Sequence, residues 1–117
     1  MRIYNGTPHS INFIANSTFD PSIRKWVGGE EIMCVPSDGM LNVKFETEES
    51  VLEGTDIPLF EKKVVGIDPL PEGYDVIIVS ALYGTNYEDK SHLYGVSDPV
   101  MTSDGKSFVG CRGLQKF

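Results

Sequence analysis

The chain has 117 residues, 40% of them hydrophobic and 23% charged, with a net charge of −7. That length suits one compact domain, and the acidity argues against a protein that grips polymeric nucleic acid, because no basic stripe is written to hold a phosphate backbone. The longest apolar run, Val76-Ile77-Ile78-Val79, is far short of the ~20 residues of a membrane-spanning helix, and the opening MRIYNGTPHS lacks the apolar stretch of a secretory signal, so a cytoplasmic protein with no membrane partner is expected.

RIYN predicts a first strand, and SINFIA a second with Ile11, Phe13 and Ala15 alternating onto one face. Between them lies the polar turn Asn5-Gly6-Thr7-Pro8-His9. RKWV is too short to assign. EEIMCV (residues 30–35) reads as a strand ended by Pro36-Ser37-Asp38-Gly39, where glycine suits a positive φ. MLNVKFET (40–47) alternates with Leu41, Val43 and Phe45 on one face, so residues 30–47 predict a hairpin. EESVLEGTD (48–56) reads as a loop, and IPLFEKKVVGI (57–67) returns to strand, with Pro58 marking a strand start or a sheet edge.

YDVIIVS (74–80) has the near-continuous apolar run of a central strand buried on both faces. Ser80 then suits the N-cap of a short helix in SALYGTNYEDK, weakened by Gly84 and Asn86. DPVMT, the turn Ser103-Asp104-Gly105 and KSFVGCRGL predict a last hairpin. The sum is a mainly β protein: one compact antiparallel β domain over residues 1–117, with one or two short helices.

No CxxC, Cys/His cluster, HExxH, Walker A loop or GxGxxG is present, so neither a metal nor a cofactor is expected. Cys34 and Cys111 read as small buried hydrophobes. Three polar segments remain. In the first, Asn5, Thr7 and His9 offer an amide, a hydroxyl and an imidazole to a ligand, although a turn of this composition also satisfies itself. The second is Ser80, at the end of the central strand, either a ligand contact or only an N-cap. Tyr83 follows it, with Tyr87 and Tyr94 nearby, to stack on a ligand or to cover the core edge. Trp26 offers a ligand wall or an interface anchor. In the third segment Arg112 stands between Gly110 and Gly113: its guanidinium is a fork for phosphate, and glycine such as Gly113 lets backbone approach a ligand closely. A catalytic reading would use His9 with Ser80 or Cys111, or His92 as the base for Cys111, without a Gly-x-Ser-x-Gly elbow.

In order, IYNGTPHSINF, VPSDGMLNVKF, VIIVSALYG and SDGKSFVGCRGL make the chain resemble a family of short bacteriophage and bacterial proteins that opens on N-x-T-P-H, continues with I-V-S-A-L and ends on G-x-R-G-L. The likeness spans most of the chain, leaving out roughly residues 16–29, 46–56 and 84–96, and Asp38 within PSDG and the long acidic loop depart from the pattern. The resemblance implies a phage protein in the host cytoplasm that counters host defence, by sequestering a nucleotide signal or by binding a defence protein. The expectation is a non-enzymatic, homo-oligomeric binding protein for a small phosphorylated nucleotide. Arg112 would meet phosphate, Asn5, Thr7 and Ser80 would bond base or ribose, and an aromatic would stack. The alternatives are an inhibitor of a host defence protein acting through acidic and aromatic surface, and a small hydrolase or lyase using His9.

Overall fold

The computed structural model describes residues 1–117. Its elements are β1 (Ile3–Asn5), β2 (Ile11–Ala15), β3 (Thr18–Asp20), β4 (Lys25–Val27), β5 (Glu30–Val35), β6 (Val43–Val51), β7 (Pro58–Ile67), β8 (Val76–Ile78), α1 (Ala81–Asn86), β9 (Leu93–Met101) and β10 (Phe108–Lys116). The protein is mainly β, as its turn-punctuated apolar runs predict. The main sheet runs β1-β8-β9-β10-β2-β5, with β4 also on β9 and β3 on β4. Its longer ladders, β9–β10 and β2–β5, are antiparallel. Short parallel pairings of β1 with β8, β8 and β4 with β9, and β2 with β10 join them into one sheet.

Strand β8 is the hinge of the core. Neighbouring residues of a strand point to opposite faces. Ile78 accordingly joins Ile11, Phe13, Val35 and Cys111 in one cluster, and Ile77 joins Leu41, Val79, Tyr83 and Leu93 in another. Burial on both sides is what the uninterrupted apolar run requires. Helix α1 follows directly, with the Ser80 hydroxyl accepting from the Tyr83 amide at 3.2 Å. Gly84 lets the ring of Phe117 lie on this helix, since a Cβ there would sit 2.3 Å from that ring. No helix is long and apolar enough to cross a membrane.

Three expectations change. The hairpin over residues 30–47 does not form: β5 pairs with β2 and β6 pairs with β7. The PSDG segment is bound to β1 instead. The Asp38 amide donates to the Asn5 carbonyl at 2.9 Å, and the Asp38 carboxylate accepts the Asn5 amide at 2.9 Å. Second, the residues read as a loop continue as strand to Val51. Third, a register shift between Phe13 and Ile14 breaks the alternation of β2, so Ile14 is buried where Ala15 was expected.

The β6–β7 ribbon forms a sheet of its own and projects from the body. It makes the molecule long and flat, 53 × 42 × 20 Å, with a radius of gyration of 18.0 Å against about 13 Å for a compact chain of this length.

Candidate functional site

The NGTPH turn is built around Asn5, which is fully buried. Its Nδ2 donates to the carbonyls of His9 (2.9 Å) and Val35 (3.0 Å). Its Oδ1 accepts the Thr7 amide at 3.0 Å and the Thr7 hydroxyl at 2.6 Å. Asn5 thus staples the turn to the end of β5, and all its bonding capacity is used inside the protein. Thr7 is half-buried and His9 exposed, and both line a cavity of about 400 Å³.

The opposite wall of that cavity comes from the final hairpin, through Val96, Asp98, Pro99, Phe108, Gly110 and Cys111. The first and third polar segments of the sequence therefore meet. The fold brings them together because β10 lies beside β2, with Cys111 level with Phe13. That approach depends on Gly110, where a Cβ would stand 2.3 Å from the Asn12 carbonyl oxygen. Gly113 is not at this contact, and a Cβ there would meet nothing nearer than Ser97 Oγ at 3.8 Å.

Arg112 does not line this cavity; it contacts Asp98 and Trp26, two residues of a neighbouring cleft. Cys111 pairs with Pro99 and Gly113 with Ser97, so Arg112 and Asp98 face each other across the ladder. Arg112 donates to the Asp98 carboxylate at 3.1 Å, and its guanidinium lies 3.5 Å from the centre of the Trp26 ring. Both members of the ion pair are half exposed to water, so the pair itself contributes little stability. Its effect is positional: it holds the cation over an indole ring. Asp98 has φ +45° and precedes Pro99. This is a left-handed backbone that a residue before proline avoids, and such strain concentrates at functional sites.

The second cleft, of about 210 Å³, is lined by Phe19, Arg24, Lys25, Trp26 and Met101, with Asp98 and Pro99 shared with the first cavity. Phe19 packs against Trp26 with ring centres 5.4 Å apart. Arg24 and Lys25 supply two of the chain's ten basic residues to this cleft, and Arg112 stands behind its wall, in contact with Trp26 and Asp98. Sequence reading missed Asp98, Arg24 and Lys25. The available signals were the Asp98-Pro99 step and two cations beside the single tryptophan.

Ser80 and Tyr83 belong elsewhere. Neither lines the two cavities. Ser80 caps α1, and Tyr83 is core, its hydroxyl donating to the Asp68 carbonyl. Burial pushes the Tyr83 phenol up to about 12, with Tyr87 and Asp68 adding to the rise, so it remains a proton donor through the physiological range. No cluster of three His, Cys, Asp or Glu side chains converges as metal ligands would.

Cys111 lines the larger cavity but is buried, and burial pushes its thiol up from the usual value. A thiol held protonated is a weak nucleophile. Cys34, expected in the core, is exposed on β5, because that edge of the sheet carries nothing over it. Under native conditions iodoacetamide is expected to label Cys34 and leave Cys111 unmodified until denaturant is added, as read by peptide mass spectrometry. Fast native labelling of Cys111 would revive the cysteine nucleophile.

Compared with protein-family models, curated proteins and solved structures, the chain matches none.

Proposed function

We propose that this is a phage-type, non-enzymatic binding protein that sequesters a small phosphorylated, nucleotide-derived signalling molecule and so counters host defence. The observation that carries the reading is the Arg112 guanidinium, held over Trp26 and bonded to Asp98 at the wall of a cleft that Arg24 and Lys25 line, in a chain of net charge −7. Cations concentrated in one cleft of an acidic protein suit a compact anion. The guanidinium fork suits phosphate, and stacking on the ring keeps that fork preorganised. The adjoining larger cavity combines apolar lining with Thr7, His9, Ser10 and Asn12, a mixture suited to a base and ribose. A nucleotide lying across the Asp98-Pro99 ridge reaches both. Sequestration asks only for such contacts, and no nucleophile with an adjacent base is needed.

The test is to denature the purified protein by heat after incubation with a mixture of cyclic and linear nucleotides, and to identify what is released by mass spectrometry. Intact nucleotide supports sequestration, and chemically altered nucleotide supports the His9 hydrolase or lyase instead. If nothing is released, the nucleotide reading fails for that mixture and a host protein becomes the expected partner. Arg112→Ala is expected to weaken nucleotide binding by roughly tenfold or more, the value of one charge-assisted hydrogen bond. Unchanged affinity in that variant removes Arg112 from the site.

A further inference from the structure

The β6–β7 ribbon poses a problem that its own chain does not solve. Two strands alone are marginally stable in water, yet this ribbon is nine residues long on β6, roughly 30 Å, and touches the body chiefly at its root. Only 17 of the 117 residues are buried, and seven of the seventeen large exposed hydrophobics lie between residues 51 and 65.

The register puts three of these seven, Val51, Phe60 and Val64, on one face. Val43 and Ile67 pair at the root and pack against the Leu41–Tyr83 cluster. Beyond the bulge that skips Val65, the same face continues outward as Phe45 with Val64, Thr47 with Lys62, Glu49 with Phe60, and Val51 with Pro58. A face that begins as core thus runs into solvent without losing its apolar character. Its only charges are Lys62 and Glu49, of opposite sign at the middle, and neither has an ion-pair partner in the chain. The other face is more densely charged, with Lys44, Glu46, Glu48, Glu61 and Lys63 around Leu59, and there only Lys63 and Glu48 pair, at 3.0 Å.

We infer that this ribbon is a dimerisation arm whose apolar face is covered by the same face of a second copy. A two-fold axis across the ribbon sets the arms antiparallel, root to tip. Phe45 and Val64 of one copy then meet Val51 and Pro58 of the other. Lys62 comes within reach of Glu49 of the second copy, so the two unpaired charges answer each other. The charge pattern complements itself, which favours a second copy over an unrelated partner. This inference does not depend on the nucleotide reading.

Analytical ultracentrifugation of the full chain tests it, together with the concentration dependence of the thermal midpoint. The wild type is expected to sediment as a dimer at tens of micromolar. Phe60→Glu is expected to weaken dimerisation at least about 30-fold, as loss of a central apolar anchor does, and to make the midpoint independent of concentration. Glu49→Lys and Lys62→Glu singly are expected to weaken the dimer, and the two together to restore it. All three side chains are exposed, so a cooperative melt in each variant shows that the body still folds. A monomeric wild type overturns the inference. So does a dimer indifferent to Phe60→Glu, or one disrupted by substituting Arg24 and Lys25 while the arm substitutions leave it intact.

Discussion

Replacing Gly110 with alanine is expected to destabilise the protein by about 3 kcal/mol or more, in the range for overpacking a close contact. The added methyl would lie 2.3 Å from the Asn12 carbonyl oxygen and 3.0 Å from Ile14 Cγ1. The first of these atoms is backbone and has no rotamer to escape into. Relief requires β10 to move off β2, and that pairing is the seam where the two walls of the larger cavity meet. For a domain of this size the thermal midpoint should fall by roughly 10 °C or more. Gly113→Ala is the control. Its nearest neighbour is a side-chain oxygen at 3.8 Å, an ordinary contact, so its midpoint should stay within a few degrees of wild type. Equal losses in the two variants would mean that the strand approach is not what Gly110 protects.

Asn5→Ala is expected to cost about 3 kcal/mol, measured by urea unfolding. The substitution removes four hydrogen bonds at once. The Val35 carbonyl is left buried without its donor, and an unmet buried polar group costs ~1–3 kcal/mol. Asn5→Asp is the more informative change. The shape is kept, but a carboxylate cannot donate to the carbonyls of His9 and Val35 and would be repelled by them. Acidification returns one donor to the introduced carboxyl, so the deficit relative to wild type should shrink as pH falls. A deficit that stays constant with pH would show that the two donated bonds do not matter. Either substitution should also loosen the Thr7–His9 wall of the cavity, since that wall hangs from Asn5.

Much of the fold was legible because local chemistry and tertiary structure agree along these stretches. Asp104-Gly105 turns the last hairpin, with Gly105 at φ +74°, between strands that pair as the pattern requires. Ser80 caps a helix where a capping residue follows an apolar strand. Where the expectation failed, a long-range partner outcompeted the local one. PSDG is a sound hairpin turn by composition, but Asp38 and Ser37 find better bonds on β1 and Thr7 than a turn would supply. Without that turn β6 is free to pair with β7, and the acidic stretch becomes an arm rather than a loop.

The candidate site divides along the same line. The sequence by itself determined the chemical types: a self-bonding Asn/Thr turn, a glycine-flanked arginine, and a central apolar strand that must be buried on both faces. Periodicity and turn preference act over a few residues, and those features need no more range. Only the tertiary structure decided which of them meet. It set Thr7 and His9 against Gly110 and Cys111, turned Arg112 onto Trp26, left Tyr83 in the other core cluster and kept Ser80 as the cap of α1. Those choices rest on β10 lying beside β2 and on Asp98 facing Arg112 across a ladder. Strand neighbours far apart in the chain are selected by which faces can be buried together, and no short stretch of residues carries that information.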